Sequence, residues 1–251
     1  VAGYHSQGCN NQHILPQGWK IERDGSVSNN ARHGEVGFEI VSPKLKGQEG
    51  LAQIKQVCDF LNANGARVDS HTGLHAHQDV SHLGKGACLK VLNAYMTVQP
   101  MLYAMQPQSR QNNHYAKKIY LQDYKNIVSQ IKVSGCSNDR YYGLNMTNIV
   151  TRGSVEFRLH AGSTDAEKII NWVVLTQLVV NVAESKGLKN ITSVKSYRVR
   201  NMFYKLGIFC DKSKNPQFDN LVIGLRKYVM ERMSKFNSNI KSVNDLLVAI
   251  G

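Results

Sequence analysis

At 251 residues, with 42% apolar and 20% charged residues, the chain is long enough to bury a full core and has the composition of a soluble globular protein rather than a disordered or fibrous one. Its 31 basic residues against 18 acidic ones leave a net charge of +13, which points to anionic partners: nucleic acid, an anionic surface or a phosphorylated substrate. The 5 cysteines form no C-x-x-C or zinc-like spacing and fit reduced thiols in a cytoplasmic protein; the most apolar run, Ile169 to Ala183, is interrupted by Asn171, Gln177 and Asn181 and reads as too short for a membrane span, and no signal-peptide pattern opens the chain.

Residues 1–18 are polar, include His5 and His13, and read as loop. Trp19 to Arg23 alternates like a strand and ends at Asp24-Gly25-Ser26, so Asp24 is either a turn former or a carboxylate presented at a strand end. Val36 to Ser42 reads as a second strand, stopped by Pro43. Glu39 lies on the opposite face from Phe38 and Ile40, and a carboxylate enclosed there needs an arginine or a metal ion as partner. Glu35 nearby is the less enclosed acid. Gln48 to Asn64 carries Leu51, Ile54, Val57, Cys58 and Leu61 at helical spacing and stops at Gly65, so its stripe is core.

The stretch Thr72-Gly73-Leu74-His75-Ala76-His77-Gln78-Asp79 follows and reads as a strand. Alternation places His75, His77 and Asp79 on one face and Leu74 and Ala76 on the other. Lys85 to Met105 is mostly helical, with Pro100 kinking or dividing it. Gln106 to Tyr115 is a polar loop in which Arg110 and Tyr115 are either ordinary surface residues or an anion clamp. A helix over residues 121–132 leads to Gly135. Asn138 to Met146 runs into a strand that can pair as a hairpin with residues 154–160 across Arg152-Gly153, bringing Arg140 and Asn145 beside Glu156 and Arg158.

In the last strand Val155, Phe157 and Leu159 alternate with Glu156, Arg158 and His160. Taken singly, H-x-H is two hydrogen-bonded histidines or two metal ligands, and E-x-R is explained by a salt bridge. On one face of one sheet, the histidines, Glu156 and the arginines Arg110, Arg140 and Arg158 make a kit for a metal ion and a phosphate. Truncation of Glu156 or Arg158 on such an open polar face is expected to leave the fold intact. Asp165 can cap a long apolar helix over residues 166–185. From Gly187 the composition turns basic, and residues 218–236 form an amphipathic helix. This marks a soft boundary at residue 187, with a main domain over residues 1–186 and a basic helical extension over residues 187–251.

The segments WKIERDGS (Trp19 to Ser26), EIVSP (Glu39 to Pro43), GQEGL (Gly47 to Leu51), TGLHAHQD (Thr72 to Asp79), Ser109 to Tyr115, RYYGLN (Arg140 to Asn145) and VEFR (Val155 to Arg158) resemble, in order, the motifs of the amidoligase family, which is similar to the glutamine synthetase and glutamate-cysteine ligase superfamily. The resemblance covers about residues 19–184. It implies an α+β fold, a curved and mainly antiparallel sheet with helices on its outer face, as in the glutamine synthetase catalytic domain. It also implies ATP-dependent joining of a small-molecule or peptide carboxylate to an amine through an acyl phosphate, with ATP and Mg2+ or Mn2+ as cofactors. By position, Glu39, His75 and Glu156 match metal ligands, and Arg158 matches the residue that steadies the transferring phosphate. Arg110, Arg140, Asn145 and His77 match positions near phosphate or substrate. The family's opening strand, of the form G-x-E-x-E, has no counterpart before Tyr4; it is expected either upstream of Val1 or lost, and its loss would leave a catalytically inactive relative.

Two other readings stand beside this one. The basic region, residues 188–236, suits a nucleic-acid-binding protein whose affinity falls steeply with salt. His75 and His77 suit a metal hydrolase.

Overall fold

The computed structural model describes residues 15–28, 35–84, 86–184, 216–237, 239–242, 245 and 248. His5, His13 and the basic stretch 188–215 lie outside these. The chain divides into two compact units, one of Val1–Leu74 with Ala161–Ile170, the other of His75–His160 with Asn171–Gly251.

In the first unit β1 (Lys20–Glu22) pairs antiparallel with β2 (Glu39–Val41), so that Ile21 faces Ile40 and Glu22 faces Glu39. Asp24 closes a turn by accepting the N–H of Val27 on its carbonyl, and a single helical turn, α1 (Gly25–Ser28), follows. The helix α2 (Gly47–Ala63) buries Ile54, Val57, Cys58 and Leu61, the stripe its 3.6-residue spacing dictates. Burial pushes the Cys58 thiol up to about 11, so it remains protonated. Trp19 donates its indole N–H to Gln53 of α2 at 3.0 Å, fixing the segment before β1 on that helix.

The second unit is organised on a sheet in the order β3-β5-β4, built from β3 (Gly73–Asp79), β4 (Leu144–Asn145) and β5 (Ser154–Ala161). Backbone bonds from Val80 to Gly153 at one end and from Gly162 to Thr72 at the other make β3 and β5 antiparallel, and β4 pairs antiparallel with β5 through Leu144↔Phe157 and Asn145↔Glu156. The α+β class therefore holds. The described residues form two short sheets rather than one curved sheet, and the strands are shorter than alternation alone suggests. The segment expected to form a strand from Asn138 contributes only Leu144 and Asn145, and the return to β5 passes through a helical turn, α6 (Ile149–Arg152). Gly153 there adopts φ +64°, a left-handed conformation that glycine takes without a steric penalty.

Behind the sheet lies α3 (Ala87–Ala104), which runs unbroken through Pro100 and is buried over nearly its whole length. Its polar residues hold the segment that follows. Gln99 exchanges two bonds with the backbone of Ile119 at 2.8 and 2.9 Å, Asn93 accepts from the Tyr124 hydroxyl at 2.8 Å, and Tyr103 donates to the carbonyl of Ala116 at 2.7 Å. Between them stand α4 (Gln108–Gln111) and the single 3-10 turn His114–Ala116, and α5 (Leu121–Ser134) follows.

The helix α7 (Ala166–Glu184) is 19 residues long, and by length and composition alone it could cross a membrane, which revises the expectation that this run is too short. Trp172, Leu175, Val179 and Val180 are fully buried, as in a core helix. Gln78, on the face of β3 opposite the histidines, donates to the Val173 carbonyl and the Thr176 hydroxyl of α7 at 3.0 and 2.8 Å. The last helix, α8 (Pro216–Phe236), belongs to the second unit. The Tyr228 hydroxyl meets His160 Nε2 at 2.9 Å, and Arg232 donates to the Met105 carbonyl at 2.9 Å and to Gln106 Oε1 at 3.1 Å.

Gly143, just before β4, has no room for a side chain. A Cβ there would lie 2.5 Å from the Tyr95 hydroxyl and 2.6 Å from that of Tyr103, while its own N–H and C=O are tied to Lys117 and Arg158. Gly143→Ala is expected to destabilise the protein by about 1–3 kcal/mol through overpacking. Urea unfolding reads this directly, and an unchanged midpoint would show that the tyrosines yield.

Candidate functional site

Alternation on β3 presents His75, His77 and Asp79 on one side of the strand, as their spacing requires, while Ala76 and Gln78 are buried on the other. On the neighbouring β5 the side chain of Glu156 is only 8% exposed. A carboxylate so enclosed has to be hydrogen-bonded or paired, and three partners meet it. His75 Nδ1 approaches Oε1 at 3.0 Å, Arg158 Nη1 donates to Oε1 at 2.9 Å, and Asn145 Nδ2 donates to Oε2 at 2.6 Å. His77 Nε2 stands 3.8 Å from the same oxygen. Asn145 is itself aimed, because its Oδ1 accepts from the N–H and hydroxyl of Thr147 at 3.0 and 2.9 Å. Sequence patterns did not single out Thr147, whose signal is no more than a threonine two residues beyond a strand asparagine.

Burial by itself raises the Glu156 carboxyl. The hydrogen bond and charge of His75, the charge of Arg158 and the bond from Asn145 outweigh it and hold the group at about 2. For His77 crowding by protein atoms comes first and lowers the imidazole; Glu156 opposes this, and His75, Arg152 and Arg158 add to it. With 53% of its side chain exposed, His77 is then a neutral, accessible base near neutral pH.

Arg158 is fixed from two sides, since its Nε also donates to the Tyr115 carbonyl at 3.1 Å. Arg110 is 4% exposed, and its guanidinium binds the backbone carbonyls of Leu159 and Arg158, so it braces β5 from within. Desolvation, and then repulsion from Arg158, lowers its pKa. Arg140 is exposed, precedes β4 rather than lying on it, and stacks its guanidinium over the Tyr141 ring at 5.2 Å from the centroid. Glu39 is exposed in the first unit, opposite Glu22.

Of the residues expected together, the structure joins His75, His77, Asn145, Glu156 and Arg158. His160 departs from the expected polar face: it is 1% exposed, with its ring 5.0 Å from that of Trp172 and its Nε2 on Tyr228. Of the other acids in these segments, Glu35 pairs with Arg67 through two hydrogen bonds, and Asp79 accepts the N–H and hydroxyl of Ser81 at 2.8 and 2.6 Å. Among the described residues no group of three or more His, Cys, Asp or Glu is placed to hold a metal ion. In the basic C-terminal helix, Arg232 is buried and engaged with Met105 and Gln106.

A family model described as "Putative amidoligase enzyme" matches residues 3–180, well over half of the chain, and the chain belongs to that family. No curated protein and no solved structure matches it.

The enclosure of Glu156 overturns the expectation that its truncation is harmless to the fold. Glu156→Ala leaves Arg158 without its ion pair and Asn145 without its acceptor, and is expected to cost about 3–5 kcal/mol. Because the folded carboxyl titrates near 2 and the unfolded one near 4.5, its contribution is complete above the unfolded value and is lost as pH falls toward 2. Urea unfolding at a series of pH values is expected to show a loss on the order of 3 kcal/mol across that window. Glu156→Gln should flatten the loss, and an equally steep loss in that variant would contradict the assignment.

Proposed function

We propose that this member of the amidoligase family is an ATP-dependent carboxylate-amine ligase whose reaction centre is the Glu156 cluster. The observation that supports it most is the meeting of His75, Asn145 and Arg158 on one ionised, nearly enclosed carboxylate, with His77 beside it. Chemistry of this kind transfers the terminal phosphoryl group of ATP to a carboxylate oxygen, forming an acyl phosphate and ADP. An amine then attacks the acyl carbon, phosphate leaves, and the amine's surplus proton passes to a base.

In this reading Arg158 steadies the phosphoryl group. Its guanidinium has five N–H groups, of which one on Nη1 goes to Glu156 and that of Nε to Tyr115; the remainder are oriented before any ligand arrives. A charge held in place in this way is worth more to a transition state than one that must be gathered from solvent. Glu156 is then the residue that aims it. Arg140 and Arg110 belong to the same proposal, the first as an exposed cation for phosphate or substrate and the second as the brace behind β5.

The donor set suits a divalent cation in a limited way. His75 turns Nδ1 to a carboxylate, so a cation taking the place of a proton on Nε2 would meet a ring already oriented, and magnesium needs only one or two protein carboxylates when phosphates complete its shell. Glu156 and His75 are the residues of the second unit that would hold it, and Glu39, on the first unit, is a separate candidate ligand by resemblance alone. Bound there, Mg2+ or Mn2+ would neutralise phosphate charge.

His77 is the base we assign to the amine. It must be neutral to act, so activity is expected to fall as pH drops below its lowered pKa and to be retained above it. The test is ADP release from MgATP across pools of carboxylates and amines. Arg158→Lys is expected to lower kcat by roughly a hundredfold while the fold, judged by circular dichroism, is kept. His77→Gln should remove the acid limb of the kcat/KM profile. Absence of any nucleotide turnover across those pools would count against the ligase, and an unchanged rate in Arg158→Lys would remove Arg158 from the centre.

A further inference from the structure

Next to Arg158 the surface carries a group of rings that the phosphoryl chemistry does not use. His114 and Tyr115 lie edge to face with centroids 5.4 Å apart, Tyr115 and Tyr141 do the same at 5.6 Å, and His114 and Tyr141 are 5.6 Å apart and tilted. Arg140 stacks on Tyr141. These rings are not core residues: Tyr115 is 55% exposed, His114 is exposed and Tyr141 is partly exposed. They are nevertheless held. The Asn113 side chain accepts the Tyr115 N–H at 2.8 Å, Asp139 accepts the Tyr141 N–H at 2.7 Å, and the Tyr103 hydroxyl binds the next carbonyl, that of Ala116. The Tyr115 carbonyl receives the Nε of Arg158, so the group adjoins the guanidinium that faces the phosphates.

A single exposed ring is ordinary, but rings gathered into one contiguous surface group are the kind of apolar patch that marks a ligand-binding surface. Three mutually packed rings edged by a guanidinium suit a flat, electron-rich heterocycle, which gains from ring faces and from the cation together. We infer that His114, Tyr115, Tyr141 and Arg140 form the platform on which the base of the nucleotide lies, an assignment that rests on the proposed use of ATP at Arg158. The phosphates are read by charge at Arg158 and the base by stacking on the rings beside it. The platform thus explains why rings and arginine share one backbone hydrogen bond.

Calorimetry of the full chain with two probes, MgATP and magnesium tripolyphosphate, separates the two parts. Tyr115→Ala keeps the backbone carbonyl that Arg158 uses, and is expected to weaken MgATP roughly tenfold and to leave tripolyphosphate unchanged. Tyr115→Phe keeps the ring and should restore MgATP affinity, which a variant that merely misfolds would not do. Equal MgATP affinity in wild type and Tyr115→Ala, or equal weakening of both probes, overturns the platform while leaving the ligase reading intact. Failure of the wild type to bind either probe overturns that reading and the platform with it.

Discussion

The second unit depends on keeping one carboxylate ionised where water scarcely reaches it. Glu156 is nearly enclosed on β5 opposite Asn145 of β4, and burial there favours the neutral acid. It remains charged because a histidine, an arginine and an asparagine from three different segments are directed at its two oxygens. Each partner is in turn fixed by something else: Arg158 by the Tyr115 carbonyl, Asn145 by Thr147, and His75 by the alternation of a strand whose other face is bound to α7 through Gln78. A cluster of this kind is costly to build from buried charge alone, and it holds functional groups in fixed directions before a substrate arrives.

The same arrangement ties the fold to the site. The buried helix α3 fixes the segment from His114 to Tyr124 with Gln99, Asn93 and Tyr103, and that segment presents the carbonyl on which Arg158 rests. Arg110 donates to the backbone carbonyls of Arg158 and Leu159 on β5. Helix α8 adds Arg232 and Tyr228 to the same unit. Residues far apart in sequence therefore converge on the geometry of two side chains.

Much of this was legible in the sequence wherever periodicity decides. The stripe of α2, the extent of α3 and α5, and the facing of His75 and His77 follow from spacings of 3.6 and 2 residues. Alternation tells which face a residue takes; it does not tell what covers that face. Glu156 and His160 were therefore read as an open polar surface, whereas Asn145 closes over one and Tyr228 binds the other. Arg110 shows the same limit, since composition gives its charge and only packing turns it toward carbonyls instead of a ligand. The single curved sheet was an expectation from resemblance, and short strands with a helical turn between β4 and β5 give two smaller sheets among the described residues.

The central claim is an ionised Glu156 held by His75, Arg158 and Asn145. Carbon-13 NMR of the side-chain carboxyl, assigned by comparison with Glu156→Gln, follows that charge as acid is added. The account predicts a midpoint at about 2, with the carboxyl still ionised where ordinary glutamates have already taken up a proton. A midpoint in the ordinary glutamate range would contradict it, and would leave Arg158 without the anchor from which the proposed chemistry starts.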